Sequence, residues 1–159
     1  MTREEFEQFL TRKEIYAENS STQSSDEGVL QIYSYILEYE NTDSDWWNED
    51  HGTTDIMYMI KNGNQDIFEK IKEDISNWTG SQIELFAQTL VSNNLRDFKI
   101  NERMQLYLEL FDIPKSDCDL YTVFYDRSYL DLELADQELL VKLAKRLNFS
   151  SVEQLMKNH

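Results

Sequence analysis

Residues 64–91 read NQDIFEKIKEDISNWTGSQIELFAQTLV, and the fold class rests on this stretch. Ile67, Phe68, Ile71, Ile75 and Trp78 recur at spacings of three and four, the period of one helical face, and Asn64 offers a side-chain oxygen to cap a helix over Gln65 to Asn77. Gly80 provides a break. The period then restarts in Ile83, Phe86, Ala87, Leu90 and Val91, behind Ser81 and Glu84 at the spacing of a capping box. Only Trp78-Thr79-Gly80-Ser81 joins the two runs, which predicts an antiparallel helical hairpin.

The same signals extend outward in both directions. Thr2 with Glu5 predicts a first helix to about Tyr16 or Ala17, with Phe6, Phe9 and Leu10 on one stripe. Asn19 to Ser25 is a polar linker. Ser24 with Glu27 then opens a helix over Val29 to Tyr39, in which Val29, Ile32, Tyr33 and Ile36 share a face while Leu30, Leu37 and Tyr39 lie elsewhere, so it should be central and widely buried. Towards the C-terminus, Asn101 caps Glu102 to Phe111, with Met104, Tyr107, Leu108 and Phe111 on one side, and Pro114 closes that helix. A last pair runs from about Asp136 to Leu147 and onward from Ser150, which with Glu153 forms another capping box. The expected fold is all-α, with antiparallel helical hairpins packed as one domain over residues 1–159. Repeat-like stacking is compatible with this, although no regular period establishes a solenoid. Leu30–Tyr39 and Leu120–Leu134 are rich in strand-favouring Tyr, Ile, Val and Phe, so an α+β fold with a small sheet is the alternative. One Pro and four Gly leave few turn residues for it.

A length of 159 residues suits a single core, and 40% apolar with 13% aromatic residues is enough to fold despite a net charge of −16. Cys118 is the sole cysteine, which rules out an internal disulfide and favours a reducing compartment. Acids occupy the first residues where a signal peptide needs an apolar core, and no run approaches a membrane span, so a soluble, cytoplasmic protein is expected. The charge is local. Between Glu14 and Ile60 stand eleven acids and no Lys or Arg, so −11 of the −16 falls there. Such a field repels nucleic acid and anionic membrane, and speeds encounter with a basic partner by roughly 10–1,000-fold. Solubility alone is the competing explanation.

Groups able to do chemistry are few. His159 is terminal, His51 lies in a polar stretch that resembles an exposed loop, and a lone Cys118 is more often structural than nucleophilic. Gly28, Gly52, Gly63 and Gly80 are too far apart for a phosphate loop. Asp43 to His51 alternates oxygen ligands, but Trp47 occupies the third ligand position of the calcium-loop pattern and Asn48 its glycine position. No enzyme activity, cofactor or metal is expected.

The same stretch suits a contact surface, because Trp46 and Trp47 are adjacent and ringed by acids. The candidate partner-binding residues are Glu38, Glu40, Asp43, Asp45, Trp46, Trp47, Glu49 and Asp50. Alternatively, one Trp caps the core and the other lies across the helix ends. A second candidate surface interleaves tyrosines with acids: Asp117, Asp119, Tyr121, Tyr125 and Asp126, continuing to Tyr129 and Asp131. Tyrosines at that spacing also suit a half-buried core.

Within the hairpin, Trp78-x3-Gln82-x3-Phe86-Ala87-x2-Leu90 resembles the helical-pair pattern of small immunity proteins from bacterial polymorphic toxin systems. The pattern covers about thirty residues of packing positions, and no binding residue is carried over from it. The resemblance implies a cytoplasmic antidote that binds a cognate toxin, often a basic nuclease, and blocks its active site or an adjacent surface. The function expected is therefore a non-enzymatic inhibitor of a basic partner, with no direct nucleic-acid or membrane binding. The alternatives are a nucleic-acid mimic that inhibits a DNA-binding protein, or an acidic helical adaptor or scaffold.

Overall fold

The N-terminal capping box forms as written: the Thr2 hydroxyl accepts from Glu5 N, and the Glu5 carboxylate accepts from Thr2 N. The helix it opens, α1 (Arg3–Arg12), stops short of Tyr16 because Glu14 takes left-handed backbone (φ 54°) and closes a Schellman motif, with Ile15 N donating to Leu10 O and Glu14 N to Thr11 O. The computed structural model describes residues 1–127 and 132–158. It continues with α2 (Glu27–Tyr39), α3 (Asp45–Asn48), α4 (His51–Asn62), α5 (Ile67–Asp74), α6 (Gly80–Val91), α7 (Ile100–Leu110), α8 (Leu120–Arg127), α9 (Gln137–Arg146) and α10 (Val152–Lys157). Short 3-10 turns lie at Ala17–Asn19, Ile75–Asn77 and Leu132–Leu134. The fold is all-α, with no strand among the described residues. Leu30–Tyr39 and the described parts of Leu120–Leu134 are helical, because each apolar run is buried by other helices.

Several caps sit elsewhere than the sequence predicts. Asp26, not Ser24, caps α2 by accepting from Gly28 N and Val29 N. Asn64 and Asn101 cap nothing with their side chains; Asn101 lies inside α7 and accepts from Asp136 N, fixing the start of α9. Ser151, not Ser150, caps α10. Gly80 is the first residue of α6 rather than a break, because Thr79 and Gln82 form the capping box. A Cβ at Gly80 would lie 2.1 Å from Asp117, so the residue is small for reasons of space. His51 opens α4, whose Thr53, Ile56, Met57 and Ile60 are buried.

The packing partners of α6 are α7, α4, α8 and α2, whereas α5 packs on α2 and α7. The short Trp78 connection therefore does not make α5 and α6 each other's main packing partners. Nine of the twelve residues of α6 are buried, more than one neighbour can cover. Chain neighbours that do pack together are α1 with α2, α3 with α4, α6 with α7, and α9 with α10. One hydrophobic cluster runs from Phe6 to Leu155.

Two buried polar side chains, Asp74 and Arg103, hold loops to this core. Asp74, 3% exposed, accepts from the Thr22 hydroxyl, Gln23 N, Asn77 Nδ2 and Trp78 Nε1. With Arg3 Nη1 donating to the carbonyls of Thr22 and Ser24, it ties the polar linker Asn19–Ser25 down as a strap. Arg103, fully buried, donates to the backbone carbonyls of Leu90, Ser92, Asn94, Leu95 and Phe98, which gathers the end of α6 and the loop that follows. Burial pushes its guanidinium down to about 10, still protonated at neutral pH.

Candidate functional site

Tyr35 and Tyr39 stand one turn apart on α2, both half-buried, with ring centroids 4.6 Å apart. α3 lays Trp46 onto Tyr39, the rings 4.7 Å apart and 8° from parallel. The Trp46 indole N–H donates to the Tyr35 hydroxyl (3.2 Å), which donates to Asp55 Oδ2 on α4 (2.6 Å). Burial, then the bond to Asp55, raise the Tyr35 pKa, so the hydroxyl stays a neutral donor at physiological pH. His51 completes the row, 5.3 Å from the Trp46 ring and 3.4 Å from Glu49.

The two adjacent tryptophans have separate fates. Trp46 is half-buried with part of its ring at the surface, while Trp47 is 5% exposed and belongs to the core. The Trp47 indole N–H donates to the carbonyl of Tyr39, the last residue of α2 (3.0 Å), so this side chain caps a helix end instead of facing a partner. Its ring lies over Gly52, where a Cβ would approach to 2.5 Å. Asp50, with left-handed backbone (φ 62°), turns the chain from α3 into α4.

Of the other residues in the first set, Asp43, Asp45 and Glu49 are exposed around this stack, and Asp50 is half-buried. Glu38 is drawn away to Lys13, 2.7 Å distant. Glu40 is half-buried near Gln82 Nε2 (3.5 Å), and burial raises its carboxyl pKa. The second set divides. Asp117 accepts from Gly80 N (3.1 Å) and shares with Glu14, Tyr16, Glu40 and Gln82 a cleft of about 630 Å³, so two acids from separate predicted surfaces meet there. Asp119 accepts from Thr122 N and Oγ, bonds that hold its carboxyl below the usual range. The Tyr121 hydroxyl donates to the Arg146 carbonyl; Tyr125 and Asp126 are exposed on α8, and Tyr129 and Asp131 lie outside the described residues.

Cys118 is half-buried, and burial followed by the charges of Glu84, Asp117 and Asp119 pushes its thiol up to about 11, the reverse of nucleophile activation. No three of His, Cys, Asp and Glu converge as metal ligands among the described residues, and no described helix is long and apolar enough to cross a membrane. Tyr35, Tyr39 and Asp55 are site residues that the sequence reading left out. The Tyr35–Tyr39 spacing of four on the flank of α2 was the available signal, whereas their meeting with Trp46 and Asp55 depends on packing of α2, α3 and α4. No family model, curated protein or solved structure matches the chain.

Proposed function

We propose that the chain is a non-enzymatic binding protein of the immunity type, which neutralises a basic protein such as a toxin domain through the α2–α4 face. The observation that carries this reading is the half-exposed Trp46–Tyr39 stack, set in a stretch of eleven acids without one Lys or Arg. Carboxylates at Asp43, Asp45 and Glu49 draw in a cationic surface, and an Arg or Lys over the Trp46 ring adds about 0.5–2 kcal/mol of cation–π attraction. The indole is held by Tyr35 and Asp55, so little ordering is left for the moment of binding.

Trp46→Ala and the triple variant Asp43→Asn, Asp45→Asn, Glu49→Gln, each tagged and compared with the wild type, test this in pull-downs from the native lysate. A stoichiometric basic partner should be held by the wild type alone. For the purified pair, the triple variant should slow association and flatten its salt dependence, while Trp46→Ala should mainly speed dissociation. A partner held equally well by both variants, or association indifferent to salt, overturns the assignment.

A further inference from the structure

We infer that the partner segment met by the α2–α4 face is a basic amphipathic α-helix laid along α4, an assignment that rests on the function proposed above. α4 buries Thr53, Ile56, Met57 and Ile60 and leaves His51, Asp55, Tyr58 and Asn62 exposed. Those four stand at spacings of four, three and four, so they form one straight stripe along the helix. The start of the stripe joins the aromatic row, since His51 lies 5.3 Å from the Trp46 ring and Asp55 Oδ2 accepts from the Tyr35 hydroxyl. Two turns beyond His51, Tyr58 is 50% exposed and extends the surface past the Trp46–Tyr39 stack.

The stripe offers three contacts in order: the Trp46 and His51 rings beside Glu49, the Asp55 carboxylate, and the Tyr58 ring. From His51 to Tyr58 is about 10 Å, two turns of helix. A partner helix repeats its side chains at the same interval and meets such a surface through one face, whereas an extended segment binds by adding to a sheet edge, and no strand among the described residues provides one. Charge complementarity names the side chains. Between Glu14 and Ile60 the chain has no Lys or Arg, so the first two contacts take arginine, one over the Trp46 end and one on Asp55, which is exposed and keeps acceptor capacity beyond its bond to Tyr35. Lys61, exposed less than a turn past Tyr58, disfavours a third cation, so the last contact is apolar. The recognised face is therefore Arg, Arg and Leu at i, i+4 and i+7, or the same order reversed in an antiparallel helix.

The probes are two blocked Ala-rich peptides carrying that face in forward and reversed order, and an isomer of the same composition with its Arg and Leu spread around the helix. Each is titrated into the isotope-labelled full chain and followed by amide NMR shifts. One of the first two should shift amides of α2, α3 and α4 with a Kd on the order of 1 mM, and the isomer should bind at least about five-fold more weakly. A Pro in place of its central Ala should remove that preference. Tyr58→Ala should weaken the better peptide about three-fold, and Asp55→Asn, which keeps an acceptor for Tyr35, about five-fold. Binding no tighter than the isomer, or unaffected by Pro, overturns the inference. If Trp46→Ala weakens the peptide while Tyr58→Ala and Asp55→Asn do not, the helix along α4 is wrong and the binding face stands; if Trp46→Ala has no effect either, both assignments fail.

Discussion

The interior of this protein and its α2–α4 face treat charge in opposite ways. Inside, Asp74 and Arg103 are both buried, and their hydrogen-bond partners among the described residues are neutral: four donors surround the Asp74 carboxyl group, five carbonyls the Arg103 guanidinium. On the face, Asp43, Asp45 and Glu49 stand exposed beside an aromatic stack, with local bonds from the Ser44 hydroxyl and Asp45 N to Asp43 and a contact from His51 to Glu49 as their side-chain ties. Burying such groups is costly unless they are hydrogen-bonded, and the bonds these two make tie them to the fold. The exposed acids have no such constraint from the fold.

Substitutions in the two regions should separate by size. Arg103→Met strands five carbonyls near the end of α6 and should cost at least about 3 kcal/mol in urea unfolding. Arg103→Lys should recover only part of that, since an ammonium cannot span the same fork. Asp74→Ala leaves Trp78 Nε1, the Thr22 hydroxyl and Gln23 N without their acceptor, an expected loss of about 2–3 kcal/mol, and faster proteolysis of Asn19–Ser25 would show the strap released. A cost below about 1 kcal/mol at either site would remove the interior side of the contrast.

Glu40 falls between the two classes, half-buried with one long contact to Gln82. Its folded pKa lies above the unfolded value, so the folded state favours the protonated form. That contribution is present at acid pH and is lost as pH rises through the folded pKa. Glu40→Gln should therefore raise stability at pH 7, by less than about 1 kcal/mol, and the gain should vanish towards pH 4. Denaturation curves at the two pH values read this directly; a loss at pH 7 would class Glu40 with Asp74. The smallest effect belongs to the face. Neutralising Asp43, Asp45 and Glu49 together should move stability by no more than about 0.5 kcal/mol per site. A larger loss would give these acids a structural role and weaken the case for a partner.

Much of the helical pattern was legible because its causes are local. Thr2 with Glu5 capped α1 as written, and the stripes of Val29–Ile36 and Ile83–Val91 are buried as their spacing implies. Stops were less legible. Glu14 and Asn148 both end helices in left-handed backbone that usually falls to glycine, and for Glu14 nothing nearby announces it. The Thr79–Gln82 box is masked in the sequence by Gly80, a usual terminator that stands here in the first helical turn because Asp117 leaves no space for a Cβ. At the site, aromatic and acidic composition was visible, but the division of labour between Trp46 and Trp47 was not, since it depends on the end of α2 offering a carbonyl to one of them.

The sequence by itself determined the helical class, several of the helix starts and the concentration of negative charge before Lys61, because caps and helical faces arise among residues three or four positions apart. Only the tertiary structure decided that α6 packs chiefly on α7, α4 and α8, that Trp47 is core while Trp46 meets solvent, and that Thr22 reaches Asp74 across 52 positions. Which apolar faces meet, and which polar groups are buried together, is settled by packing all the helices at once. The energy of each such contact depends on partners that no local window contains.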